Sequence, residues 1–131
     1  MQTLFLIRGI PGSGKSTLAR QMANAMQIRY FEADQYFCDE NGVYNFNPAR
    51  LSEAHFWCKE QVHTELQLGK SVIVSNTSTT DAEVIPYQQI AQENHVQFVS
   101  IIVENRNNTK SIHNVPEPSI QRMKNRFNIK L

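Results

Sequence analysis

An α/β fold of three layers around a mainly parallel sheet is predicted by three observations. Apolar runs of strand length alternate along the chain with stretches of helical periodicity. Leu4-Phe5-Leu6-Ile7 and Ser71-Val72-Ile73-Val74-Ser75 are almost wholly apolar, as strands covered on both faces must be. Between the first strand and the first helix stands Gly9-Ile10-Pro11-Gly12-Ser13-Gly14-Lys15-Ser16, which fits the phosphate-loop pattern G-x-x-x-x-G-K-[ST] in its required context of strand, loop and helix. A P-loop NTPase fold follows.

The 131 residues suffice for one domain, residues 1–131, burying about two-thirds of its unfolded surface. Arg8 cuts the first apolar run too early for a signal peptide, and no run has the length of a membrane span, so a soluble, cytoplasmic protein with no membrane contact is expected. Cys38 and Cys58 read as reduced thiols, and His55, His63, His95 and His113 lack any metal-ligand spacing. Charge is segregated beneath a net +1. Residues 1–29 carry Arg8, Lys15, Arg20 and Arg29 without an acid, residues 30–69 hold seven acids, and residues 105–131 hold six cations against Glu117. Such a fold could gather the two basic ends around a polyphosphate.

In order, the first helix spans residues 16–27, with Leu18, Met22, Ala25 and Met26 at helical spacing. Residues 29–32 form a short second strand and place Asp34 just past its C-terminal end, the edge at which open α/β sheets bind ligands. Asn41-Gly42 marks a tight turn between short alternating segments, whose acids read as surface. Asn47 caps a long helix that begins with Pro48 and ends at Gly69, with Leu51, Ala54, Cys58, Val62 and Leu66 as its apolar stripe. After the Ser71–Ser75 strand and a polar loop, Asp81 caps a helix through Glu93, and residues 96–103 form the fourth strand. A basic excursion from Arg106 to His113 suits a phosphate-covering lid, before a last helix carrying Ile120, Met123 and Phe127.

The loop chemistry assigns a nucleoside triphosphate, ATP, to Pro11, Gly12, Ser13, Gly14, Lys15, Ser16 and Thr17. Gly12 and Gly14 let successive N–H groups turn inward, Lys15 reaches the β- and γ-phosphates, and the Ser16 hydroxyl holds Mg²⁺. Val74-Ser75-Asn76 ends without a Walker-B acid, and no N-K-x-D pattern occurs, which disfavours motors and guanine switches. Asp34 could instead take a proton from an acceptor hydroxyl attacking the γ-phosphate, which makes a phosphotransferase the leading class.

The P-loop, Ala33-Asp34-Gln35-Tyr36-Phe37, Glu40-Asn41-Gly42-Val43-Tyr44-Asn45-Phe46-Asn47-Pro48, Val72-Ile73-Val74-Ser75-Asn76-Thr77 and Ile112-His113-Asn114-Val115-Pro116 resemble the polynucleotide 5′-hydroxyl kinase family over nearly the whole chain. The likeness is greatest to the branch fused in some animal ubiquitin-ligase-binding proteins, with phage kinases further off. It implies catalysis by Lys15, by Asp34 as general base, and by Arg106 and Lys110, one helical turn apart, as the lid. Phage kinases have arginines at the positions of Phe37 and Lys110 and a carboxylate at that of Asn76, where Asn76 and Ser78 would hold Mg²⁺ through water. The implied reaction is phosphorylation of the 5′-hydroxyl of DNA or RNA ends, with a single-stranded end or a nucleotide as acceptor. Eight of the twelve aromatics fall between residues 30 and 57, as a stacking platform or as core. A small-molecule kinase acting on a nucleoside, sugar or antibiotic, and a catalytically weak ATP-binding interaction module, are the alternatives.

Overall fold

Alternation of side chains along the first strand sets the layers. In the computed structural model, which describes residues 1–110 and 114–131, β1 (Thr3–Arg8) is flanked in parallel by β3 (Val72–Asn76) and β4 (Gln97–Ile102). The short β2 (Arg29–Phe31) pairs with β3, giving four parallel strands in the order β2-β3-β1-β4.

Leu4 and Leu6 face one way with Val72 and Val74, and meet α2 (Leu51–Gln67) and α3 (Asp81–Glu93) through Cys58, Val62, Leu66, Tyr87 and Ile90. Ile7 and Ile73 face the other way, onto Ala19 and Ala23 of α1 (Lys15–Met26). The two strands of greatest apolar character are therefore the two central ones. Each fully buried aliphatic side chain there contributes about 1.5–3 kcal/mol. The last helix, α4, runs Glu117–Arg126.

Several local expectations are modified. Asn47 caps through its Oδ1, which accepts from Ala49 N at 3.1 Å, but the first turn, Pro48–Arg50, is a 3-10 helix and α2 begins at Leu51, which is itself exposed. Thr80, not Asp81, is the N-cap of α3; the Asp81 amide is satisfied by Asn128 Oδ1 at 3.0 Å, a side chain from the far end of the chain. The Asn41-Gly42 turn closes with a bridge between Cys38 and Tyr44, and Asp39 is more than surface: its Oδ1 accepts from Asn41 N and Val43 N at 2.8 and 2.9 Å. Residues 103–110 contain no helix, so Arg106 and Lys110 are not one helical turn apart. Residues 111–113 of the expected lid, including Ile112 and His113, lie outside the described residues.

Arg8, read from the sequence only as an interruption, ends β1 and is 5% exposed. Its Nε donates to Ser78 O at 2.8 Å and its Nη2 to Asn128 O at 2.7 Å, while the guanidinium lies over the Phe127 ring. Asn128 N donates to Thr79 O at 2.7 Å, and Arg126 Nε to Thr79 Oγ1 at 2.9 Å. Arg8 and Arg126 thus clasp the C-terminal segment to the β3–α3 loop instead of gathering around a polyphosphate.

Asn128→Ala removes the helix cap alone and should lower stability by about 1 kcal/mol. Deletion of residues 127–131 also strips Arg8 of its ring and its shortest carbonyl contact, and should cost about 3 kcal/mol or more, because a buried cation loses its partners. Urea unfolding of both variants checks the order of the two effects.

Candidate functional site

The loop after β1 has the backbone its glycines predict. Gly12 and Gly14 take φ of 86° and 96°, and Ser13 N donates to Ile10 O at 3.1 Å. A Cβ on Gly9 would run into the Ser13 side chain and lie 3.0 Å from Val103 O, so no larger residue fits there. Among the described residues the buried Ser13 hydroxyl has no hydrogen-bond partner. No acid occupies the first turn of α1. A curled loop, an unanswered hydroxyl and a helix start free of negative charge together fit a phosphate group. Ser16 lies in that first turn.

Lys15 follows at once. Burial pushes its ammonium down from the ordinary value, while the nearby Glu32 and Asp34 carboxylates oppose that shift. Asp34 sits half-buried in a 3-10 turn, Ala33–Phe37, directly after β2. Glu32 and Asp34, at the C-terminal end of β2, thus act electrostatically on the P-loop lysine.

Two contacts that sequence reasoning missed hold this turn. Asn76, buried at the end of β3, accepts from Ala33 N through Oδ1 at 2.9 Å, and its Nδ2 lies 3.9 Å from Cys58 Sγ. Its amide oxygen is engaged with backbone, which argues against the water-mediated metal contact expected of it. Tyr44 donates its hydroxyl to Asp34 Oδ1 at 3.2 Å. The hairpin signal at Asn41-Gly42 could have revealed Tyr44, since the turn folds it back opposite Cys38. Phe37 is 7% exposed and turns into a cluster with Ala33 and Ala54, away from any phosphate-binding role.

The lid segment contacts the loop by another residue. Thr109 donates its hydroxyl to the Gly12 carbonyl, and Asn105 braces Thr109 by accepting from its N at 3.0 Å. Arg106 is exposed and pairs with Glu104 at 2.9 Å, and Lys110 is exposed as well.

Beside Asn76 lies a cavity of about 340 Å³ between α2 and α3. His55, Phe56, Lys59, Ser78 and Glu83 are among its walls. Burial, then Lys59, lowers the His55 pKa, which favours neutral imidazole; Glu83 and Asp34 act the other way. A larger, shallower depression along α1 and the β2 edge includes neither P-loop residues nor Asp34 in its lining and lies apart from this chemistry.

A family model described as an AAA domain matches residues 4–129. The chain belongs to this family. It is a P-loop kinase-like domain, and the resemblance read from its motifs stands. NEDD4-binding protein 2 of Homo sapiens is 38% identical over 93 residues, which are 69% of this chain and 5% of that protein. A chain of the Pnkp1/Rnl/Hen1 RNA repair complex superposes with a TM-score of 0.71 at 19% identity, over 98% of this chain and 47% of that one. Kti12 of Chaetomium thermophilum, in complex with ADP-AlF3, gives 0.67 at 13% identity, over 96% and 80%. These superpositions establish a common kinase-like fold. The domain spans about half of the repair-complex chain and a small fraction of the human relative. Among the described residues no helix is long and apolar enough to cross a membrane.

The lowered pKa of Lys15 makes a prediction with a definite sign. Its charged form is the penalised one in the folded protein, so the penalty is complete below the folded pKa and fades as pH rises toward the ordinary 10.5. Lys15→Met should raise the Tm of the nucleotide-free domain at pH 7 by a few degrees, with the advantage shrinking toward pH 10, while abolishing nucleotide binding. Calorimetric melts across pH, with titration by ATP, check both halves.

Proposed function

We propose that this domain is an ATP- and Mg²⁺-dependent kinase that phosphorylates the 5′-hydroxyl of DNA or RNA ends. The observation that carries the reading is the Asp34 carboxylate acting on the P-loop Lys15 from a turn whose backbone is held by Asn76, itself a wall of the neighbouring cavity. The loop amides, Ser13 and Lys15 bind the β- and γ-phosphates of ATP, and Thr17 closes the cradle. Ser16 is the residue to hold Mg²⁺, which when bound neutralises phosphate charge.

The acceptor enters from the cavity side. Its hydroxyl oxygen attacks the γ-phosphorus as its proton passes to the Asp34 carboxylate, and the bond from phosphorus to the bridging oxygen breaks to release ADP. Lys15 stays with the departing diphosphate. Arg106 must leave Glu104 and, with Lys110, turn toward the transferred group. His55, Lys59 and the exposed Phe56 give the cavity a hydrogen-bonding group, a cation and a ring, suited to the phosphate and base of a strand end. The cavity's modest volume favours a second reading, a kinase for a free nucleoside or sugar.

With γ-labelled ATP and Mg²⁺, label should pass to 5′-hydroxyl oligonucleotides. Asp34→Asn should lower the rate by about a hundredfold or more, and Lys15→Ala should bring it to background. Label confined to nucleosides or sugars would select the second reading, full rate in Asp34→Asn would remove the base from Asp34, and ATP binding without transfer would leave an interaction module.

A further inference from the structure

We infer that Tyr44 is a positioning residue for the reacting carboxylate, its hydroxyl fixing the plane of the Asp34 side chain through Oδ1. This rests on the reading of Asp34 as the general base, and it adds to the site a residue from the hairpin. An aspartate at a strand end turns about χ1 and χ2, and only a small part of that range aims a lone pair at an acceptor hydroxyl. A donor anchored elsewhere selects one orientation before the acceptor arrives.

Tyr44 is built as such an anchor. Its ring sits in a hairpin fixed at several points: the bridge to Cys38, the two amides received by Asp39 Oδ1, and Asn45 N donating to Phe37 O at 2.9 Å. Phe37 meets the Tyr44 ring edge-on at 6.5 Å, and Phe46 lies parallel to it. Asn76 fixes the backbone of the same turn from the opposite side, through Ala33 N. Backbone and side chain of the acid are thus held by different elements, β3 and the hairpin.

The hydroxyl also keeps its proton. Burial and the Asp34 charge raise the Tyr44 pKa to about 12, so it remains a donor at any physiological pH. Among the described residues, Lys15 from α1, His55 from α2 and Cys38 from the hairpin also act on this pair.

Tyr44→Phe removes the hydroxyl and retains the ring. Side-chain coupling constants of isotopically labelled protein should report one Asp34 χ1 rotamer in the wild type and averaging among rotamers in the variant, with unchanged melting. In the transfer assay kcat should fall roughly tenfold with KM for ATP unchanged. In a separate arm, the Tyr44 phenol of Asp34→Asn should titrate below the wild-type value of about 12 as followed by ring carbon shifts. A single Asp34 rotamer in Tyr44→Phe, an averaged rotamer with undiminished kcat, or an unmoved phenol titration would each overturn the inference. If the wild type transfers no phosphate, the two spectroscopic arms still decide whether Tyr44 orients Asp34, and only the kinase reading falls.

Discussion

Arg8 and Asn76 are register partners at the ends of the two central strands, and the functional loops hang from their side chains. Arg8 gathers the β3–α3 loop and the C-terminal segment; Asn76 takes the turn that carries Asp34. The arrangement places a cation in the interior with carbonyl oxygens and a ring in contact, its acids Asp81 and Glu83 acting from farther away. Desolvation of a lone cation costs several kcal/mol, so the surrounding carbonyls have to be accurately placed. Loops that satisfy Arg8 therefore have little freedom to drift, which is what a phosphate site beside them requires.

The same reasoning explains why an amide at Asn76 suits this chain. The position must accept from Ala33 N while its other end faces the buried Cys58 thiol, itself held protonated by burial. A carboxylate could take the amide proton, but its second oxygen would bring a charge into the buried setting of the Cys58 thiol and the Tyr87 hydroxyl, at a cost of several kcal/mol unless neutralised. With Asn, both ends are compatible with neutral partners. Asn76 thus belongs to a local set, with Cys58 and Ala33, that fixes the turn carrying Asp34.

The parts of the fold that were legible in the sequence are those written as local periodicity or steric need. Leu4 to Ile7 and Val72 to Val74 could hardly be other than central strands, and Gly9, Gly12 and Gly14 stand where a Cβ or a negative φ would break the loop. What stayed hidden depends on single side chains reaching far along the chain. Asn128 and Asp81 carry no mutual signature, and Asn76 with Ala33 none either, because a hydrogen bond between distant segments leaves no spacing to count. Arg106 and Lys110 show the converse error: a four-residue interval suggests a helix only where the chain between is helical, and Arg106 and Asn107 form a turn closed by Asn108 N donating to Asn105 O, with Asn108 at a φ of 56°.

That turn bears on how the lid works. In a helical lid, cations are pre-aimed by the helix; here Thr109 fastens the segment to Gly12 while Arg106 rests against Glu104 at the surface. An exposed pair of this kind is worth about 0–1 kcal/mol, so surrendering Glu104 for a multiply charged phosphate opposes closure only weakly. Attachment of the segment thus rests on Thr109, while the Arg106 guanidinium lies at the surface against Glu104. An arginine on a short turn is less sharply aimed than one on a helix, whereas the turn of Asp34 is held from two elements, by Asn76 through Ala33 N and by the Tyr44 hydroxyl on the carboxylate itself.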